Sequence, residues 1–393
     1  MALRFAAALS TETDRKTAVA AVCRQALADL GGTPDLAIVF LSADYADDAT
    51  SIAKELCATL GTSALLGCTG ESIVGGEREI EQSRAISLWL ASMPGVTIDL
   101  MHLAFERTSE GGTFVGWPDS LADEWPAGAA LLMLGEPFSF PADALLERLN
   151  DDQQGTPVIG GMASGGHAPG ENRLLLGPTA YDAGAVAALV SGPVKVRSVV
   201  SQGCRPIGRP MIVTKAQQNI IQELSGKTAM DQLREVWQTL SGDDQRLVQR
   251  GLHVGQVINE YQDTFGRGDF LVRNVVGADP EAGVIAIGDF ARVGQTVQFH
   301  IRDAQTAHED LGELLAAAKA AGQAPPAGAL LFTCNGRGTR LFPEPHHDAT
   351  AISQPWGKLP LAGFFAQGEI GPVGGKNFLH GFTASVALFE PVK

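Results

Sequence analysis

The chain repeats one phrase three times: ALLGCTGES at residues 64–72, PVIGGMASGG at 157–166 and LAGFFAQGEIGP at 361–372. In each version an apolar strand runs into a glycine-rich turn that ends in small or acidic residues. Repetition of a whole supersecondary unit decides the architecture, and glycine at a corner lets backbone approach backbone or a ligand closely. The pattern predicts repeated strand–turn units whose corners line one cavity, which indicates binding more readily than any particular chemistry.

The composition limits the classes of partner. The chain has 393 residues, of which 45% are hydrophobic and 19% charged, so a sizeable core is expected. The formal net charge is −15. Because nucleic acids and anionic membrane surfaces attract basic proteins, this charge speaks against both kinds of partner.

Targeting, disulfide and metal patterns are absent from the sequence. No apolar stretch approaches the ~20 residues that cross a bilayer, and residues 1–17 are too acidic and too short in their apolar part for a signal peptide. The five cysteines are scattered without a Cys-x-x-Cys pair, and the densest group of metal-ligand residue types, at 344–348, lacks a metal-site spacing. We expect a cytoplasmic protein without a metal or other cofactor.

Apolar runs and helical patterns divide much of the chain into similar units. The first unit, at about residues 30–105, and the second, at about 127–203, each read as strand, helix, strand, glycine corner and further strands. A third copy closes the chain, with a strand at 329–333, a short helix at 349–354 and a strand at 361–365. Because short turns join adjacent strands, we predict an α/β (α+β) fold of layered sandwiches, with mixed or antiparallel sheets and outer helices.

The region between the second and third copies has another pattern. Residues 214–250 carry apolar residues at helical spacing and are predicted to be helical, and 304–321 is an Ala- and Leu-rich helix. We interpret this region as a fourth, altered copy, and we place the domain boundary near 203–209. The strands predicted within it are 254–259, 270–275, 284–287 and 296–301.

Longer phrases resemble a known family. GCRPIG at 203–208, CNGRG at 334–338 and GEIGP at 368–372 are similar to phrases of the FIST family, whose members are sensory modules of signal transduction. GCTGE at 67–71 resembles the N-terminal half of that family. The resemblance covers roughly residues 30–390, which is nearly the whole chain.

The resemblance implies an N-terminal FIST domain at 1–203 and a C-terminal FIST domain at 204–393. It also implies a ligand-sensing module for small molecules such as amino acids, which many relatives fuse to an output domain. Because the resemblance leaves no room for an output domain here, we expect the signal to leave through a partner protein or through oligomerisation. The family supplies no proven catalytic residue, and we do not expect an enzyme.

The candidate ligand site combines the third corner with the loop before it. Arg337 could present its planar guanidinium to a carboxylate, and Glu369 could accept from a ligand ammonium. Alternatively, Arg337 forms a structural bond to Glu369 or Asp348, and the sequence leaves both interpretations open. The candidate ligand-binding residues are Arg337, Glu369, Gly338, Phe364, Phe365, Gly368, Cys334, His380, Cys68 and Gly67, with Phe342 as a further apolar wall.

Two other functions remain open. Cys334, next to Arg337, and Cys68, before a glycine corner, are the candidate nucleophiles of a cysteine-dependent hydrolase or transferase. The alternative for Cys68 is a purely structural role as a small buried apolar residue. The other alternative is a protein-interaction scaffold, which would expose a large contiguous apolar patch.

Overall fold

The computed structural model describes residues 2–109, 111–121, 125–262, 264–266, 268–322 and 324–392. They form two compact units: the first contains Met1–Val200 and Glu313–Lys393, and the second contains Ser201–Gly312. Both contain strands and helices, and the sheets are mixed or antiparallel, which confirms the predicted α/β class.

The bounds of the elements are as follows. The helices are α1 Arg15–Leu30, α2 Ala49–Leu60, α3 Ala142–Asp152, α4 Ala229–Thr239, α5 Gly242–Arg250, α6 Ala304–Ala321 and α7 His347–Ser353. The strands to the end of the second repeat are β1 Arg4–Ser10, β2 Leu36–Ser42, β3 Leu65–Gly70, β4 Ile73–Gly75, β5 Arg78–Ile80, β6 Ile86–Ser92, β7 Thr97–Thr108, β8 Gly111–Val115, β9 Ala130–Gly135, β10 Val158–Met162, β11 Leu174–Leu176, β12 Thr179–Tyr181 and β13 Ala185–Ser191. The later strands are β14 Val194–Ser201, β15 Cys204–Gln217, β16 Ile220–Leu224, β17 Lys227–Thr228, β18 His253–Val257, β19 Phe270–Asp279, β20 Val284–Ile287, β21 Thr296–Arg302, β22 Gly328–Cys334, β23 Leu361–Ala366, β24 Glu369–Val373, β25 Lys376–His380 and β26 Ala384–Pro391.

The first compact unit contains three copies of one supersecondary motif, at residues 36–92, 130–191 and 328–391. Each copy has a strand, a helix, a parallel second strand, a hairpin, and a last strand antiparallel to the first. The parallel pairs are β2–β3, β9–β10 and β22–β23, and the helices between their strands are α2, α3 and α7. The repetition predicted from the glycine-rich phrases is therefore present.

The hairpins interlock the three repeats, because each hairpin joins the sheet of another repeat. The β4–β5 hairpin of the first repeat pairs with β23 of the third, and β24–β25 of the third pairs with β10 of the second. The β11–β12 hairpin of the second repeat pairs with β3 of the first, which closes the cycle. Residues more than a hundred positions apart thereby share a sheet.

One glycine in each repeat occupies the same register in this arrangement. Gly67, Gly160 and Gly363 lie on the second strand of their parallel pairs and face an adjacent backbone. A Cβ atom at these positions would lie 2.3, 1.8 and 1.9 Å, respectively, from the neighbouring carbonyl oxygen. Only glycine permits this approach of the two strands.

The outer and inner faces of the sheets pack against different partners. The outer face of the first-repeat sheet contacts α1 and α2, with Val22, Ile52 and Leu56 in the apolar layer. The inner faces share a central core that draws on all three repeats. In this core the rings of Phe40 and Phe364 stack with centroids 5.2 Å apart. The predicted outer helices and layered sheets are both present.

The N-terminal segment holds two elements that the sequence interpretation missed. β1 pairs with β6 at the edge of the first sheet, and α1 follows it. Asp14 caps α1 by accepting from the backbone N–H of Thr17, and Gly31 ends it in the left-handed conformation. None of the described helices combines the length and apolar composition required of a membrane-crossing helix.

The second compact unit corrects two predictions. Residues 214–250 are not helical throughout: β15, β16 and β17 precede α4 and α5. Ile220, Ile221 and Leu224 lie on the strand β16. The helical prediction was wrong there because so short a run of apolar residues fits the helical and the strand periodicity equally. The unit is also no fourth copy, since every pairing described within its sheet is antiparallel.

Candidate functional site

The three glycine-rich corners meet in the first unit and bond directly to one another. Met162 and Gly368 are joined by an N–H···O bond of 2.8 Å, and the Ser164 N–H donates to the Thr69 carbonyl at 3.1 Å. The Ser164 hydroxyl also accepts from the Glu71 N–H at 2.9 Å. The strands leading into the corners are buried throughout. The corners therefore brace one another where the sequence led us to expect a cavity lining.

Charged side chains collect beside the third corner, on the loop between β22 and α7 and at the start of α7. Arg337 is fully buried and makes a bidentate ion pair with Asp348, with Nε–Oδ2 and Nη2–Oδ1 distances of 2.7 and 2.8 Å. The loop can turn back because Gly338 has φ +59° and begins a short 3-10 turn. The ion pair corresponds to the structural alternative that the sequence left open for Arg337.

Asp348 is held by two further groups around this pair. Thr333 donates its hydroxyl to Oδ2 at 2.6 Å, and His347 Nδ1 lies 2.9 Å from Oδ1. Burial alone would raise the pKa of Asp348, but the Arg337 charge and these hydrogen bonds hold it well below its usual range. Burial likewise opposes the charge of Arg337, and Asp348 overcomes it and raises the Arg337 pKa. Both groups are therefore ionised at neutral pH.

Glu369 is a second buried carboxyl at this site. Its Oε2 accepts from the N–H and hydroxyl of Thr383 at 3.0 and 2.8 Å, and Cys334 is hydrogen-bonded to the same side chain. Burial raises the pKa of Glu369 to about 7, against the lowering effect of these bonds and of Arg337. The Glu369 carboxyl therefore changes between its protonated and ionised forms near neutral pH.

The polar residues Arg337, Asp348, Glu369, Asn335 and Glu79 are called the Arg337 cluster below. Several of its polar atoms have no hydrogen-bond partner among the described residues. They are Arg337 Nη1, Glu369 Oε1, Asn335 Oδ1 and Glu79 Oε2, and each atom is buried. A buried polar atom without a partner costs about 1–3 kcal/mol, so such atoms are concentrated where a ligand or water completes the site. One donor and several acceptors are thus available in one neighbourhood.

The hairpin of the first repeat supplies residues that the sequence interpretation missed. Glu79 accepts from the Ala349 N–H at 2.9 Å, and burial raises its pKa. Glu81 accepts from the Thr339 N–H at 2.9 Å, and Glu71 forms an ion pair with Arg340. These acids precede their partners by more than 250 residues, so no local pattern could have joined them.

The structure places the other candidate residues as follows. Phe365 lies against Gly338, where an added Cβ would be 2.7 Å from the ring, and His380 faces Glu369 across the β24–β25 hairpin. The His380 Nε2 atom lies 2.9 Å from the Gly371 carbonyl oxygen. The remaining candidates, all within the packed strands and corners, are Gly67, Cys68, Phe364 and Gly368.

The Phe342 ring forms one wall of the cluster. The guanidinium carbon of Arg337 lies 5.2 Å from its centroid, which is within cation–π range. On the ring, His347 stacks with a centroid separation of 3.4 Å. Phe342 thus separates the ion pair from solvent on one side.

Two described cavities lie elsewhere in the first unit. One, of about 180 Å³, is lined mainly by apolar residues that include Trp117 and Trp125. The other, of about 680 Å³, borders it and includes Lys195. Neither is lined by a candidate residue from the sequence. Within the described ranges, no group of three or more His, Cys, Asp or Glu side chains is arranged to hold a metal ion.

Relative to wild type, the Glu369→Gln variant is expected to be stabilised more at pH 8 than at pH 5. The folded state keeps a proton on Glu369 up to pH about 7, whereas the unfolded state releases it near 4.5. The wild-type contribution of this group therefore falls by about 1.4 kcal/mol per pH unit across that window, and glutamine removes the loss. Urea unfolding at both pH values measures it. The exposed control Glu344→Gln should show no such difference, and an equal response of the two variants would contradict the assignment.

Comparisons with known proteins identify relatives along nearly the whole chain. The model of the FIST N domain matches residues 35–227, and that of the FIST C domain matches 229–372. The chain is 44% identical to the uncharacterized protein Rv0628c of Mycobacterium tuberculosis over 389 residues, which are 98% of this chain and 100% of the relative. It is 42% identical to the uncharacterized protein Mb0898c of Mycobacterium bovis over 390 residues, which are 98% of this chain and 99% of the relative.

Proposed function

The chain belongs to the FIST family, and we propose that it is a sensory protein whose signal is a small polar molecule resembling an amino acid. FIST domains are associated with sensing in signal transduction. We infer that the bound state is passed on to a signalling partner protein, in keeping with this association. We place this activity in the cytoplasm.

The observation that carries the proposal is the set of unpartnered polar atoms in the Arg337 cluster. Arg337 Nη1 is a charged donor and suits a ligand carboxylate. Glu369 Oε1 and Asn335 Oδ1 are acceptors and suit a ligand ammonium. A zwitterion offers both groups at a short separation, and satisfying these atoms would relieve the cost of leaving them buried.

The ion pair restricts the ligand to a defined part of the cluster. Asp348 occupies Nε and Nη2 of Arg337, so a ligand carboxylate would meet Nη1 alone. Cys334, Asn335 and Gly336 are half-buried and form the edge from which the cluster can be reached. We infer that the ligand enters over this edge.

A thermal-melting screen tests the proposal on the full chain. Each amino acid and a set of related zwitterions is added at millimolar concentration, and a ligand at 100 times its Kd is expected to stabilise the protein by about 2.7 kcal/mol. For the confirmed ligand, calorimetry should show Asn335→Ala weakening binding at least about tenfold, or 1.4 kcal/mol. Gln354→Ala, an exposed change at the end of α7, is the control and should bind as wild type.

The result that overturns the proposal is equally defined. If no zwitterion raises the melting temperature, the cluster does not bind such molecules. If a ligand binds but Asn335→Ala and Gln354→Ala have equal affinity for it, the ligand lies elsewhere in the molecule.

A further inference from the structure

Cys334 lies among polar and charged groups. Its sulfur accepts a hydrogen bond from the Gly336 N–H at 3.4 Å, and its side chain is hydrogen-bonded to Glu369. Arg337 lies close enough for its charge to interact with both Cys334 and Glu369. A donor to the sulfur, a proton acceptor and a positive charge therefore surround one half-buried thiol.

The unpartnered atoms provide the second, independent observation. Arg337 is fully buried, and its Nη1 is a donor with no partner among the residues that the structure describes. Glu369 is also fully buried, and its Oε1 lacks a partner in the same sense. A small oxygen-rich reactant beside Cys334 would find both a donor and an acceptor.

We propose that Cys334 is a site of reversible oxidation by hydroperoxides, in which Glu369 accepts the thiol proton and Arg337 together with the Gly336 N–H stabilises the developing charge. This inference does not depend on the proposed zwitterion ligand. It assigns a covalent modification to a residue of the candidate site.

The chemistry balances with hydrogen peroxide as the oxidant. The Cys334 proton passes to the Glu369 carboxylate, and the thiolate attacks one peroxide oxygen. The S–O bond forms as the O–O bond breaks, so the sulfur loses two electrons and the peroxide gains them. The departing hydroxide takes the proton from Glu369 and leaves as water, and the product is the sulfenic acid of Cys334. An added dithiol reduces it back to the thiol.

The titration of Glu369 suits this role. Its pKa of about 7 keeps a fraction of the carboxyl ionised at neutral pH, where it can accept the proton. Burial raises the pKa of the Cys23 thiol to about 11 and that of the Cys68 thiol well above its ordinary value. Burial also raises the pKa of Cys57, which is half-buried like Cys334.

Cys57 therefore serves as the matched internal control. The reduced full-length protein is treated with one equivalent of hydrogen peroxide in the presence of dimedone, which traps sulfenic acids, and the adducts are mapped by mass spectrometry. We expect the adduct at Cys334, none at Cys57, and loss of labelling in Cys334→Ala but not in Cys57→Ala. Because both cysteines are compared within one folded wild-type sample, the comparison does not depend on any variant folding.

The proton-acceptor role has a separate readout. Glu369→Gln should slow labelling of Cys334 roughly 10²-fold and remove its pH dependence near 7, whereas Glu344→Gln should leave both unchanged. Labelling of Cys57 at the same rate as Cys334, or no adduct at Cys334, overturns the proposal. An unchanged rate and pH profile in Glu369→Gln removes Glu369 from the mechanism.

Discussion

Gly160→Ala is expected to destabilise the first compact unit by at least about 3 kcal/mol, which is beyond the usual cost of overpacking. The added Cβ would lie 1.8 Å from the Met133 carbonyl oxygen and 2.8 Å from its carbonyl carbon. These are backbone atoms of the paired parallel strand, so no rotation of a side chain can relieve the overlap. The strands β9 and β10 would have to separate, and the β24–β25 hairpin of the third repeat pairs with that same β10.

Chemical unfolding followed by circular dichroism measures this effect. The matched control is Gly381→Ala in the same unit, because a Cβ there meets nothing within 4 Å and the backbone is not left-handed. The control should lie within about 1 kcal/mol of wild type. Gly67→Ala and Gly363→Ala occupy the equivalent registers and should behave like Gly160→Ala. Wild-type stability in all three would contradict the close approach of the strands in the parallel pairs.

Asp348→Asn is expected to lower the free energy of unfolding by about 3–5 kcal/mol, because it leaves the buried Arg337 charge without its counter-ion. The variant keeps the size of the side chain, so the loss reports on charge and not on a cavity. Arg337→Met in the same chain removes the stranded charge. The double variant should therefore be more stable than the sum of the two single losses predicts, by more than about 1 kcal/mol.

A surface pair gives the control for this double-mutant cycle. Arg340 pairs with Glu71, but its side chain is 46% exposed. Arg340→Met should cost about 1 kcal/mol or less, as expected of an ion pair in contact with water. If Asp348→Asn costs no more than Arg340→Met, or if the double variant shows simple additivity, the buried pair does not have the proposed structural weight.

Much of the local structure could be predicted from the sequence. The strand at 35–42, the helix at 47–60 and the glycine-rich corners were recognisable because strand and helix periodicity act over a few residues, and the structure has β2 and α2 within these ranges. The helical prediction for 214–250 failed over 214–228 because β15, β16 and β17 are defined by pairing with distant strands. Of the candidate residues, Arg337, Cys334 and Glu369 lie close to one another, since all three belong to the loop and corner of the third repeat.

The sequence by itself determined the repeat, its strand–helix–strand order and the glycines at its corners, since these depend on side-chain size and on spacing along the chain. Only the tertiary structure decided that each hairpin joins the sheet of another repeat. That exchange brings Glu79 and Glu81 of the first repeat to the Arg337 loop of the third. The tertiary structure also decided the charge state of the site, because the pKa of Glu369 depends on burial and on a partner, Cys334, 35 residues away along the sequence. Both are consequences of packing, which no local pattern of residue types encodes.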